Sequence, residues 1–255
     1  MMSQRWPERL WLVRHGQSAG NVARDAALRD ELHRITLDGR DVDVPLSPLG
    51  LRQADALGAW FARQPEADRP DVLLSSPYKR TLQTAALFRD AGGTAGDDPI
   101  CPDERLREKE FGILDGLTST GIAQTYPEQA EFRRLLGKFY HRPPGGESWC
   151  DVILRLRSVL DTVSLHYAER RVMIICHQVV ILCLRYILEK LDEEAILRID
   201  RTANVGNCSV TEYRFDPAAG RSGGLVLARY NDMLPLADAQ MPRTEAPDPV
   251  VAARG

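Results

Sequence analysis

Three short motifs in this chain each follow an apolar run, and each carries side chains that bind or transfer charge. Arg14-His15-Gly16 follows Leu10-Trp11-Leu12-Val13, Ser75-Ser76-Pro77 with Arg80 follows Asp71-Val72-Leu73-Leu74, and His177-Gln178 follows Val172 to Cys176. If those runs are strands of one sheet, two arginines and two histidines meet at one edge. Such a cluster suits a tetrahedral dianion, because guanidinium offers a planar fork of donors, and the implied ligand is phosphate. A neutral imidazole nitrogen can attack phosphorus, while clustered cations stabilise the charge on the transferring group. That chemistry needs neither a metal nor a cofactor. It does need a proton donor for the leaving alcohol, normally a carboxylic acid kept protonated by its surroundings. Candidates lie in Asp103-Glu104-Arg105-Leu106-Arg107-Glu108-Lys109-Glu110.

The elements that must deliver these residues are legible in the apolar spacing. Leu10 to Val13, Asp71 to Leu74 and Val172 to Cys176 are short continuous apolar runs, expected of strands buried on both faces. Ser47-Pro48 ahead of Leu51, Ala54, Leu57 and Phe61 predicts a capped helix from Pro48 to Arg63, and helices are expected over Tyr78 to Asp90, Trp149 to Glu169 and Val179 to Leu191. Ser209 to Phe215 and Leu225 to Tyr230 flank a turn-rich stretch and predict an antiparallel pair at a sheet edge. The fold class is therefore α/β, a mostly parallel central sheet with helices on both faces and antiparallel strand at one edge. In such sheets ligands bind beyond the carboxyl ends of the strands, where the three motifs lie. The expected organisation is one domain over 1–236, with the polar segment 22–45 an insertion carrying a short helix and able to serve as a lid. The stretch 237–255 is expected to be a disordered tail, since it lacks apolar periodicity.

Composition excludes several function classes. The 255 residues carry a formal net charge of −3, with 44% hydrophobic and 27% charged residues, an ordinary globular balance without the basic surplus of a nucleic-acid binder. Arg185 and Cys176-His177-Gln178 interrupt the longest apolar runs, so no membrane span of about 18 residues is expected. Met1 to Arg9 lacks a secretory pattern, so a cytoplasmic location is expected. Cys101, Cys150, Cys176, Cys183 and Cys208 are odd in number and contain no Cys-x-x-Cys pair, as expected of reduced, mostly core residues. The expected partner is a small phosphorylated substrate, with no nucleic acid and no membrane, and a homodimer left open.

The motifs also carry a resemblance. Leu12-Val13-Arg14-His15-Gly16-Gln17-Ser18 with Asn21, Ser76-Pro77 with Arg80-Thr81 and Gln83-Thr84-Ala85, Leu106-Arg107-Glu108 with Phe111-Gly112, Pro144-Gly145-Gly146-Glu147-Ser148, and His177 occur in the order seen in the histidine phosphatase superfamily, branch 1. The chain resembles that family from about Leu10 to Tyr230, including Asn207-Cys208-Ser209-Val210-Thr211 and Tyr230-Asn231-Asp232. The resemblance implies a phosphoglycerate mutase-like fold and a phosphomonoesterase working through a transient phosphohistidine on His15. It further implies that Arg14, Arg80 and His177 bind the phosphoryl group, that Asn21 adds a hydrogen bond, and that Glu108 is the general acid. A free Glu has a pKa of about 4.3, so acting as an acid requires burial or a bound phosphate to hold its proton.

Departures from the family pattern narrow the activity. Gln178 stands where the family usually has Gly, and Ile175 to Val180 resembles the bisphosphatase domain of the bifunctional fructose-2,6-bisphosphate enzyme, making Gln178 a candidate ligand contact. That enzyme's sugar-phosphate arginine corresponds here to Leu182, and the Trp that mutases carry before Asn21 corresponds to Gly20. Hydrolysis is favoured over the alternative, a cofactor-dependent phosphoglycerate mutase. A remote alternative is a serine esterase using Ser18, because Gly16-Gln17-Ser18-Ala19-Gly20 fits a nucleophile elbow. Too little chain precedes the first strand to supply its oxyanion loop. Lys138, Tyr140 and Arg142 are weighed equally as substrate-selecting or solvated, and His33, His141 and His166 as solvated or structural.

Overall fold

The computed structural model describes residues 4–245 apart from 38 and 221. Its sheet has six strands: β1 (Arg9–Arg14), β2 (Val72–Ser75), β3 (Cys101–Pro102), β4 (Arg171–Cys176), β5 (Val210–Asp216) and β6 (Gly224–Asp232). The order across the sheet is β3-β2-β4-β1-β5-β6. β1 and β2 both pair parallel with β4, β2 with β3 is also parallel, and β5 pairs antiparallel with β1 and with β6. The mostly parallel sheet with an antiparallel edge is the architecture expected from the apolar runs.

Alternation along the strands explains why those runs are uninterrupted. Leu10, Leu12, Val172 and Ile174 face one core, packed against α6 (Trp149–His166) and α7 (Gln178–Leu188). Trp11, Val13, Met173 and Ile175 face the opposite core, packed against α2 (Pro48–Ala62) and including Phe88 of α3 (Lys79–Asp90). With both faces covered, neither register position can be polar. Each buried aliphatic side chain contributes about 1.5–3 kcal/mol of transfer free energy, which fixes the strand ends in place.

The helix starts obey their local chemistry. Ser47 accepts the Gly50 N–H at 3.0 Å with Pro48 following it, and Ser148 with Asp151 forms a reciprocal capping box on α6. Elements beyond those expected are β3, α4 (Ser119–Thr125), α5 (Pro127–Tyr140), α8 (Glu193–Thr202) and α9 (Leu234–Asp238). The segment after the first motif opens with α1 (Ala19–Arg29), whose capping box joins Ser18 to Asn21. Beyond it the chain is stitched to 116–121: Ile35 N–H donates to the Gly116 carbonyl at 2.9 Å and the Thr118 hydroxyl to the Leu32 carbonyl at 2.7 Å.

Of the tail expected to be disordered over 237–255, the described part, 237–245, is tied to the fold. Asp238 in α9 accepts the Trp60 indole N–H at 3.0 Å, and the Thr244 hydroxyl donates to Asn207 at 3.0 Å while accepting from Gln53 at 3.0 Å. Gln53 and Asn207 are fully buried and need these partners. A few polar bonds carry no apolar periodicity, so the sequence pattern concealed them. Residues 246–255 lie outside the described residues.

Candidate active site

The carboxyl ends of β1, β2 and β4 bring the three motifs together. His15 continues the ladder by donating its backbone N–H to the Cys176 carbonyl at 3.0 Å, and the Arg14 guanidinium reaches the Val205 carbonyl. The His15 Nδ1 lies 2.7 Å from the Gly16 carbonyl oxygen. A carbonyl only accepts, so Nδ1 carries the proton and Nε2 holds the lone pair. Burial lowers the His15 pKa well below its ordinary value, and the positive charges of Arg80 and Arg14 lower it further. The side chain is therefore a neutral imidazole in a cationic setting.

The loop carrying it is held by close backbone approach. A Cβ on Gly50 would sit 1.9 Å from the Gln17 carbonyl oxygen, the same oxygen that accepts the Ser47 N–H at 2.8 Å. Only glycine lets α2 start that near the loop. Gly16 N–H donates to the Thr84 hydroxyl at 3.1 Å, which in turn donates to the Arg80 carbonyl at 2.7 Å, tying α3 to the same loop.

His177 is wholly buried, with its ring centroid 5.2 Å from that of His15 and 5.1 Å from that of Tyr78. Its Nε2 lies 2.8 Å from the Ser76 hydroxyl, and Nδ1 has no hydrogen-bond partner among the described residues. Burial, then Arg80 and His15, keep its pKa well below the ordinary value. Gln178 opens α7, so the helix N-terminus, the positive end of its dipole, points at the strand ends. The Gln178 amide nitrogen lies 3.4 Å from the Asn204 side-chain oxygen, and its own buried carbonyl oxygen has no partner among the described residues.

An open cavity of about 190 Å³ is lined by Arg14, His15, Asn21, Arg80, Glu108 and Gln178. His177, its ring edge-on to that of His15, is not among those lining residues. Six of the seven expected site residues thus face one space. Asn21 is braced there, its side-chain oxygen accepting from Ser18 N–H at 3.0 Å and from the Asn207 amide at 3.3 Å. Glu108 accepts the Lys109 N–H at 2.9 Å on Oε1, and its carbonyl accepts from Arg155 at 3.2 Å. Arg155 also binds the Arg105 carbonyl at 2.5 Å. Glu147 locks this loop, taking Arg107 at 2.8 Å, Arg155 at 2.9 and 3.0 Å, and the Glu110 N–H at 3.1 Å. Burial alone would raise the Glu147 pKa, but the Arg155 hydrogen bond and charge outweigh it and hold the carboxyl below its usual range.

Ser18, Gly20 and Phe111 of the motifs also line the cavity, and the charged residues of the wall that the sequence reading did not single out are Arg24, Asp41 and Asp115, among apolar side chains such as Ile35, Leu37 and Leu117. Burial, followed by the charge of Asp41, raises the Asp115 pKa. Arg24 comes from α1, Asp41 from the turn after it and Asp115 from the loop after the Glu108 segment, and no single period joins these positions. Lys138, Tyr140 and Arg142 lie off the cavity wall: Lys138 pairs with Asp200 at 2.7 Å, Tyr140 packs on Phe139, and Arg142 approaches Asp151 at 3.6 Å. His33 is exposed, His166 ends α6 on the surface, and His141 is buried. Ser18 Oγ caps α1 by accepting the Asn21 N–H at 3.0 Å, while the histidine expected of an esterase pairs with Ser76 instead. No three His, Cys, Asp or Glu side chains among the described residues gather as a metal-ligand group. No helix among them is long and apolar enough to cross a membrane.

Comparison with known proteins is consistent with this geometry. The model of the histidine phosphatase superfamily (branch 1) matches residues 10–231. The human 6-phosphofructo-2-kinase/fructose-2,6-bisphosphatase 3 is 32% identical over 190 residues, covering 74% of this chain and 31% of that protein. The chain thus spans about a third of such relatives' length. A probable phosphoglycerate mutase GpmB from Yersinia pestis is 27% identical over 225 residues, covering 88% of this chain and 92% of its own. Among solved structures, a mycobacterial glucosyl-3-phosphoglycerate phosphatase in complex with VO3 superposes with a TM-score of 0.66 at 26% identity, covering 89% of this chain and all (100%) of that one.

Proposed function

Because the chain belongs to the histidine phosphatase superfamily, branch 1, we propose that it is a metal-independent phosphomonoester hydrolase acting on a small phosphorylated metabolite through a phosphohistidine on His15. The observation that carries this reading is the His15 tautomer. With Nδ1 committed to the Gly16 carbonyl at 2.7 Å, Nε2 is left unprotonated in a cavity walled by Arg14 and Arg80.

In the first step Nε2 of His15 attacks phosphorus as the ester oxygen departs in line, and Glu108 gives that oxygen its proton. Arg14, Arg80 and His177 bind the phosphoryl oxygens, the last through the Nδ1 that lacks a hydrogen-bond partner among the described residues, which carries the proton where Nε2 accepts from the Ser76 hydroxyl. Asn21 and Gln178 supply further polar contacts. The negative charge of a bound dianion favours the protonated form of the Glu108 carboxyl beside it, the form that the acid role needs. In the second step water attacks the phosphohistidine while Glu108 takes its proton, releasing phosphate and neutral His15. Five free cysteines suit a reducing compartment, which supports a cytoplasmic site of action.

The test is hydrolysis of p-nitrophenyl phosphate by the purified chain in excess chelator, beside His15→Ala. Turnover that survives chelation and falls by about 10⁴-fold or more in the variant supports the reading. Equal turnover by both proteins refutes it. A mutase, the reading suggested by the GpmB relative, would instead need a bisphosphorylated primer and return the phosphoryl group to substrate rather than to water.

A further inference from the structure

Arg80 already grips an anion, and the anion belongs to the chain itself. Its Nη1 donates to the Asp41 carbonyl at 2.7 Å and to Oδ1 at 3.0 Å, while Nη2 donates to Oδ2 at 3.1 Å. The two Nη groups therefore take one carboxylate oxygen each, the arrangement in which arginine takes two oxygens of a phosphoryl group. The guanidinium is largely buried, at 6% exposure, and lies over the Tyr78 ring at 4.8 Å, so little water reaches it and Asp41 supplies its carboxylate partner. Asp41 differs. At 46% exposure, its carboxylate can rotate into solvent at little desolvation cost.

The two anions compete for the same donors. A phosphoryl group held through both Nη atoms of Arg80 must take them from Asp41, and an Asp41 carboxylate left in place would face the dianion at close range. The turn that carries Asp41 (Asp41–Asp43) is held by backbone bonds, Val44 N–H to the Asp41 carbonyl at 3.2 Å and Asp43 N–H to the Arg40 carbonyl at 2.9 Å. The side chain can thus leave while the backbone contact to Nη1 stays.

Resting on the phosphatase reading above, we propose that Asp41 sets the affinity of this site: its carboxylate occupies Arg80 between turnovers, and a phosphorylated ligand binds by displacing it. The exchange serves two ends. It keeps a buried guanidinium paired when no substrate is present, and it returns to Arg80 as phosphate leaves, weakening product binding. The penalty falls equally on every ligand that engages Arg80, so Asp41 shifts affinity rather than choosing among leaving groups.

The test is the dissociation constant of inorganic phosphate, measured by calorimetric titration of the full chain. Asp41→Asn binds phosphate about two- to fivefold more tightly than wild type, the range of a half-exposed ion pair, and Asp41→Ala at least as tightly. Asp43→Asn, which removes a neighbouring charge that does not touch Arg80, leaves the constant unchanged. Equal or weaker binding by both Asp41 variants would make Asp41 an aligning group for Arg80 and overturn the inference. Equal tightening by Asp43→Asn would assign the effect to general charge and overturn it too. Failure of the wild-type chain to bind phosphate would instead bring down the phosphatase reading together with it.

Discussion

The imidazoles of His15 and His177 stand with centroids 5.2 Å apart and planes inclined by 65°, each tied through one nitrogen to a different fixed oxygen. His15 is held by the Gly16 carbonyl and His177 by the Ser76 hydroxyl. Neither ring can accept a proton easily, since burial and the neighbouring cations penalise the charged form of both.

The acid limb of activity follows from that pairing. A nucleophilic His15 must be neutral, and its folded pKa lies well below 6.5 through burial, Arg80 and Arg14. Lowering the pH through 6.5 therefore leaves it competent. We expect kcat/KM, corrected for ionisation of the substrate, to hold level through that value and fall only at lower pH. A limb centred at 6.5 or above would contradict this.

Glu108→Gln separates leaving groups. An alkyl phosphate needs its alkoxide protonated, whereas p-nitrophenolate leaves well unaided. The variant should lose about 10²- to 10⁴-fold in kcat/KM on an alkyl ester and much less on the aryl ester. Equal losses on both would move the acid elsewhere in the 103–110 segment.

Glu147→Gln tests the clamp on that segment. Removing its charge leaves Arg107 and Arg155 without their shared carboxylate. Breaking a largely buried pair from one side should cost about 2–3 kcal/mol by urea unfolding. Because Arg155 also holds the Glu108 carbonyl at 3.2 Å, kcat should fall as well. Unchanged kcat would show that Glu108 is positioned without the clamp.

Gly50→Ala would place a methyl carbon 1.9 Å from the Gln17 carbonyl oxygen. The obstacle is backbone, so the loop beside His15 must move. We expect about 1–3 kcal/mol of destabilisation together with a drop in kcat/KM, whereas Gly96→Ala, where no atom lies within 4 Å of the added carbon, should change neither.

His141 makes stability depend on pH. Burial lowers its pKa to about 4, with Arg133 and Lys109 contributing. Between about 4 and the ordinary 6.5 the unfolded chain binds a proton that the folded chain refuses, so stability falls as pH falls through that window. His141→Gln removes this linkage. The difference in unfolding free energy between pH 7.5 and pH 5 should shrink by up to about 2 kcal/mol relative to wild type.

Much of this molecule is written in local chemistry. Apolar runs covered on both faces could only be interior strands, Ser47-Pro48 and Ser148 could only begin helices, and three strand ends carrying Arg14-His15, Arg80 and His177 converge by the topology of any such sheet. Those features depend on neighbours a few residues apart or on a rule of sheet geometry, so they are legible in sequence. The tautomer of His15, the capture of Arg80 by Asp41, the clamp of Glu147 on the Glu108 loop and the bonds of Thr244 to Asn207 and Gln53 were decided only by the tertiary structure. Most of them join residues far apart in the chain through irregular segments. Such segments have no period to read, and their path is set by which buried polar groups must find partners.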